Sequence, residues 1–285
     1  MGKFIRPVGK IIWTGAFAVG LTAVSSLIWG GLLLTNLKTS SSVPWAAGVM
    51  AVITWAAYRY FGGKWGPDRT KEARRSYLRA APVSFALFAS TVTAGVLCLV
   101  SLSGLWIVLF QLVKAPGNSF GDVSHYPLAT VIVSLVVAAV SGAVFEEAGF
   151  RGYFQGTLEK YLPGPLAIFV CASVMAPEHA QTQGFVWTTV LFYLVSDVML
   201  GFSAYLTRSI IPGIVIHSIS LLTFFSLVWP HDHERALIWQ HGPDNWFWVH
   251  VAQVLIFAVL GIFTFFRVSR MTKRTTNLAR SAISA

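Results

Sequence analysis

PLATVIVSLVVAAVSGAVFEEAGFR, from Pro127 to Arg151, decides the solvent in which this chain folds. Its opening run, Pro127 to Phe145, carries no charge. An apolar helix of about 20 residues, rising roughly 1.5 Å per residue, crosses the hydrocarbon of a membrane, and this run is about that long. Glu146 and Glu147 then stand side by side, and Arg151 follows Ala148, Gly149 and Phe150. A carboxylate at membrane depth costs roughly 3 kcal/mol on insertion scales, so charges there are rare, usually paired and often functional. This cluster is the first candidate for chemistry.

The rest of the 285 residues has the same character. Hydrophobic residues make up 55% and charged residues 11%, with a mean hydropathy of +0.66; a soluble protein carries about 25% charged residues. The expected fold class is therefore all-α, a polytopic membrane protein of about eight transmembrane helices enclosing an intramembrane cavity. Eight segments qualify as spans: 11–34, 43–61, 82–112, 128–155, 165–178, 185–206, 211–229 and 246–266. They form one integral membrane domain over 1–285, with no internal repeat and no soluble unit. The apolar stretch after Lys10 continues to Leu34, longer than the ~7–15 residues of a signal-peptide core, so it reads as a first span. Cys98 and Cys171 fall within apolar segments and read as small buried hydrophobes, with no disulfide framework and no cysteine metal site.

Loop charge sets the expected orientation. Lys3, Arg6 and Lys10, then Lys64, Arg69, Lys71, Arg74, Arg75 and Arg79, then Lys160, Arg208 and the tail from Arg267 to Arg280 fall on one side, while the other holds Lys38, Lys114 and Arg235. Basic loops remain in the cytosol, which places both termini there, in what is expected to be a prokaryotic cell membrane. The net charge of +10 then reads as contact with anionic membrane lipids. No nucleic-acid partner is expected, because the bases lack a folded nucleic-acid-binding scaffold.

Pro163-Gly164-Pro165 breaks the helix and makes a hairpin of the fourth and fifth spans. Glu146 lies 18 positions before Gly164 and His179 lies 15 after it, a difference in depth of about 4.5 Å, so the two side chains can meet. Arg151 is the i+4 partner of Glu147, which leaves Glu146 as the carboxylate free for chemistry. A second hairpin at 207–212 places His217 on a neighbouring helix, about two turns past the bend. For its depth to match that of Glu146, the fourth helix should extend beyond the membrane through Gln155, Glu159 and Lys160. Pro177, just before His179, suggests a helix end.

Other polar residues have plainer readings. The Glu147–Arg151 pair can serve helix packing alone, and Asp197 inside the sixth span suits either a cavity or a helix–helix hydrogen bond. His231, His233, Glu234 and His241 could hold a metal, but their spacing matches no helical ligand pattern and they read as a solvated loop.

Glu146-Glu147-x-x-x-Arg151, then His179, then His217 resemble, in order, the three motifs of the CPBP intramembrane protease family. That family includes CAAX prenyl endopeptidases and bacteriocin-processing, Abi-like proteins. The resemblance covers 128–223, a protease-like core flanked by spans over 11–112 and 246–266. It implies an intramembrane endopeptidase, a hydrolase acting on a peptide or protein substrate, lipid-modified or not, with no cofactor. It further implies that Glu146 and His179 activate water and that His217 stabilises the oxyanion, with Glu147 and Arg151 in support. The chain departs from the motifs twice. Met175 stands where the second motif has phenylalanine, and Leu221 where the third has asparagine or aspartate. Leucine donates no hydrogen bond, which leaves Ser218, Ser220 and Thr223 as replacement donors; losing one oxyanion donor costs roughly 100- to 1,000-fold in rate. Three alternatives follow from the same residues. One is a zinc protease using Glu146, His179 and His217. Another is a catalytically weak immunity or regulatory scaffold of the same fold, and the third is a transporter relaying protons through Glu146 and Asp197.

Overall fold

The computed structural model describes residues 2–114, 125–228 and 235–284, and among them it is helical with no strand. In chain order the helices are α1 (Gly2–Thr39), α2 (Trp45–Phe61), α3 (Asp68–Leu78), α4 (Phe85–Leu112) and α5 (Leu128–Glu146). A π-helix (Glu147–Gln155) joins α5 to the single turn α6 (Gly156–Leu158). Then come α7 (Gly164–Gln183), α8 (Trp187–Thr207), α9 (Ile211–Thr223) with a second π turn (Phe224–Val228), α10 (Ile238–His241) and α11 (Asn245–Ser284).

The protein is an all-α integral membrane protein. Among the described residues, six helices are long and apolar enough to cross a membrane: Pro7–Thr39, Phe85–Leu112, Leu128–Leu158, Trp187–Thr207, Ile211–Val228 and Asn245–Lys273. The two other expected spans exist as helices but fall outside this set. α2 has only 17 residues, short of the roughly 20 that a span needs. In α7, Pro177, Glu178, His179 and two glutamines interrupt the apolar run.

The basic stretch between the second and third expected spans is not a plain loop, for α3 lies within it. Arg74 is buried there and donates to the carbonyls of Tyr60, Trp65 and Pro67 at 2.9, 2.6 and 3.3 Å. It caps the turn after α2 and does not reach lipid. Arg79, at the C-terminal cap of α3, pairs with Glu159 at 3.0 Å. The backbone oxygen of Arg79 accepts from Ile210 N at 3.0 Å, so this one residue ties the ends of both hairpins.

The hairpin break lies where the prolines require it: Pro163 caps α7 and Pro165 occupies its first turn, where a missing N–H removes no helical bond. Helicity beyond α5 does reach Leu158, but as a buried π-helix and not as a solvated extension. All nine of its residues are buried, Gln155 completely. Its glycines allow the close packing: a β-carbon at Gly152 would lie 2.9 Å from the carbonyl oxygen of Tyr77, and one at Gly149 3.1 Å from Cα of Ala18. Small residues of this kind let membrane helices approach and pack. Phe150, Phe154, Cys171 and Met175 pack against α1, while Trp106, Phe110, Phe192 and Ile216 join α4, α8 and α9. The site lies between these two clusters. Both cysteines are free thiols.

Candidate active site

Glu146 is the last residue of α5 and Glu147 the first of the π-helix. Neighbouring residues on a helix point in different directions, and here the difference separates access from burial. The Glu146 side chain retains 12% of its exposure and Glu147 none. Glu146 faces α7 and α9: its Oε2 lies 3.9 Å from Nε2 of His179 and 3.3 Å from Nε2 of His217. The sequence-predicted trio thus meets at one carboxylate oxygen. The π-helix begins at Glu147, a placement common at functional sites.

His179 sits within α7, which continues through Pro177 to Gln183 and does not end at the proline. Pro177 lacks an N–H, so the carbonyl of Ser173 has no i+4 donor there, and packing against α8 sustains the helix. The His179 ring stacks on Tyr193 of α8 at 4.3 Å between centroids and 20° between planes, which fixes its plane.

Glu147 has a larger role than its pairing with Arg151 suggested. Its Oε1 lies 3.1 Å from Nδ1 of His217 and 3.5 Å from Nη1 of Arg151. An ionised carboxylate only accepts, so Nδ1 carries a hydrogen and Nε2 of His217 is the ring atom presented to Glu146. Glu146 Oε2 lies 3.3 Å from Nε2 of His217, at ion-pair distance but outside hydrogen-bond geometry.

The strongest contact of Arg151 is with a residue that sequence reasoning left between two roles. Nη2 lies 2.7 Å from Oδ1 of Asp197 and also donates to the Asp197 carbonyl at 3.3 Å. The helix–helix alternative for Asp197 is the one adopted, and as the partner of Arg151 it is not an open relay group. Its signal was present in the sequence: an acid within an apolar span needs a cation, and Arg151 was the cation at hand. Met175, at the second-motif phenylalanine position, turns its sulfur to Nη1 of Arg151.

Leu221 lies one turn after His217 and lines the same place as Glu146. A β-carbon at Gly142 would touch both, at 3.4 Å from Leu221 Cδ1 and 3.8 Å from Glu146 Oε1. The expected replacement donors do not turn toward the site. Ser218, Ser220 and Thr223 each donate to the carbonyl four residues back, at 2.8, 2.9 and 2.8 Å. A hydroxyl has one hydrogen to give, and α9 itself takes it. Among the described residues no group of three His, Cys, Asp or Glu side chains is arranged to hold a metal ion. His231, His233 and Glu234 lie outside the described residues, and His241 ends the short α10.

Comparisons with curated proteins and with solved structures found no match. A family model does match. Residues 128–223, which hold Glu146, Glu147, Arg151, His179, Asp197 and His217, match the Rce1-like family of type II CAAX prenyl endopeptidases, the same protease family that the order of the three motifs resembles.

Proposed function

We propose that the protein is a CAAX-protease-like intramembrane endopeptidase that hydrolyses a peptide bond with water activated by Glu146, without a metal ion. The observation that carries this reading is the pair of contacts of Glu146, a partly accessible carboxylate facing two imidazoles at 3.9 and 3.3 Å. Glu146 takes a proton from water, and the oxygen attacks the carbonyl carbon of the scissile bond. His179 orients that water. The carbonyl oxygen becomes an oxyanion, to which His217 donates from Nε2 while Glu147 holds Nδ1. Collapse of the tetrahedral intermediate breaks the C–N bond, and the proton held by Glu146 passes to the leaving nitrogen. The products are two fragments, with no covalent enzyme intermediate.

The substrate is a peptide or protein segment that enters from the cytosolic side of the membrane, the side on which both termini are placed by loop charge. Leu221 leaves His217 without the usual neighbouring donor, and the back-bonded hydroxyls of α9 favour a second reading, a regulatory scaffold of the same fold with weak catalysis. Purified protein tested on a peptide library with prenylated and unprenylated members, with its metal content measured, separates these readings. Cleavage by metal-free protein supports the proposal. Loss of activity to a chelator with recovery on added zinc supports the zinc protease, and no cleavage of any peptide supports the scaffold.

A further inference from the structure

We infer that Asp197 is a positioning residue: by taking up the guanidinium of Arg151 it leaves Glu147 free to hold His217, and so sets the tautomer and plane of the imidazole that faces Glu146. The inference rests on the proposed role of His217. Four contacts form one line from α8 to the site: Asp197 Oδ1 to Arg151 Nη2 at 2.7 Å, Arg151 Nη1 to Glu147 Oε1 at 3.5 Å, Glu147 Oε1 to His217 Nδ1 at 3.1 Å, and His217 Nε2 to Glu146 Oε2 at 3.3 Å. The uneven reach of Arg151 is the informative feature. Its close hydrogen bond goes to Asp197, whereas the close contact of Glu147 goes to His217.

Arginine favours a two-pronged grip on a carboxylate, and Glu147 is the other carboxylate within its reach. With Asp197 neutral, the guanidinium has one anionic partner left and closes on Glu147 Oε1, the oxygen that His217 Nδ1 needs. The imidazole then loses the acceptor that fixes its plane and supports the doubly protonated ring, the form in which Nδ1–H faces Glu147 while Nε2–H is available to an oxyanion. The groups are shielded from water, with side-chain exposures of 1% for Arg151, 2% for Asp197 and 0% for Glu147, so solvent does not replace the lost partner. Asp197 lies outside the three motifs.

The test is Asp197→Asn, which keeps the shape and removes the charge. It is expected to lower kcat roughly 10- to 100-fold, the range seen when a partner orienting a functional histidine is lost, with KM little changed. In a Glu147→Gln background the same substitution should cause no further loss, because the route through Glu147 is already broken. An equal loss in both backgrounds, or no loss in either, overturns the inference. A second readout needs no turnover. The ring-nitrogen NMR signals of 15N-labelled histidine, assigned to His217 by comparison with His217→Gln, should show Nδ1 protonated in the native protein and a mixed tautomer in Asp197→Asn. Unchanged signals overturn the inference even if the native protein cleaves no peptide, an outcome that would defeat the proposed function alone. Should Asp197→Asn not fold, Asp197→Ser replaces it: it removes the same carboxylate and releases the same guanidinium to Glu147, and the His217 signals should change in the same way. Native signals in that variant count against the inference.

Discussion

Gly213 and Glu147 are fitted to one another: a β-carbon at position 213 would lie 2.5 Å from Oε2 of Glu147. Gly213 is one turn before His217 on α9, so the absence of a side chain there makes room for the carboxylate that holds the imidazole. Gly213→Ala should displace Glu147 and reduce peptide cleavage by about tenfold or more, the scale of losing a partner that orients a functional histidine. Helix propensity alone runs the other way, since alanine favours a helix by about 1 kcal/mol over glycine. Kinetics alongside thermal unfolding in detergent check this: falling kcat without matching loss of stability is expected.

Leu221 stands one turn after His217, where the motif that the chain resembles has asparagine or aspartate. Leu221→Asn should raise the rate, by up to roughly 100-fold if the missing oxyanion donor limits it. Single-turnover cleavage assays measure the change. An unaltered rate would show that the oxyanion is already fully served by His217.

Arg79 holds three parts of the protein at once, pairing with Glu159 and donating to the carbonyls of Arg151 and Ala204, each at 3.4 Å. Arg79→Met keeps much of the volume and removes these bonds. A loss of about 2 kcal/mol is expected, because hydrogen bonds to charged groups contribute roughly that much and the carbonyls lose a donor. Denaturation in mixed micelles measures it, and Glu159→Gln should be milder because Gln155 still donates to that side chain.

Arg69 is exposed on α3, in the most basic segment between spans. With both native cysteines replaced by alanine, Arg69→Cys should react with a membrane-impermeant thiol reagent only after the cells are opened. Labelling of intact cells would reverse the assigned orientation.

Much of this arrangement was legible in the sequence. Hydropathy carries the all-α membrane class because a spanning backbone must satisfy its hydrogen bonds internally, and helices do so. The meeting of Glu146 with His179 was anticipated from a proline-bounded hairpin and the α-helical rise, although the arm after Glu146 is π-helical. What was not legible depends on geometry off the regular helix. The π turn after Glu146 has no simple periodic signal, and it is what reconciles Glu146 with His217 where a longer regular helix was expected. α3 is short and strongly polar, so it reads as a loop until Arg74 is seen capping the turn before it. The link from Asp197 to Arg151 joins residues far apart in the chain, so only the need of a buried acid for a cation, and no spacing along one helix, pointed to it. The back-bonding of Ser218, Ser220 and Thr223 was accessible in principle, since hydroxyls in membrane helices commonly bond the carbonyl four residues back.

The most direct measurement compares the native protein with Glu146→Gln in proteoliposomes, using a peptide that the native protein cleaves, with fragments followed by mass spectrometry in 18O-labelled water. Glutamine keeps the shape of the side chain and cannot accept the proton. Turnover should fall by about 100- to 10,000-fold, the usual contribution of a general base, while peptide binding and thermal unfolding stay near native, and the native products should carry one 18O in the new carboxyl group. Native turnover in Glu146→Gln would contradict the assignment of Glu146 as the base.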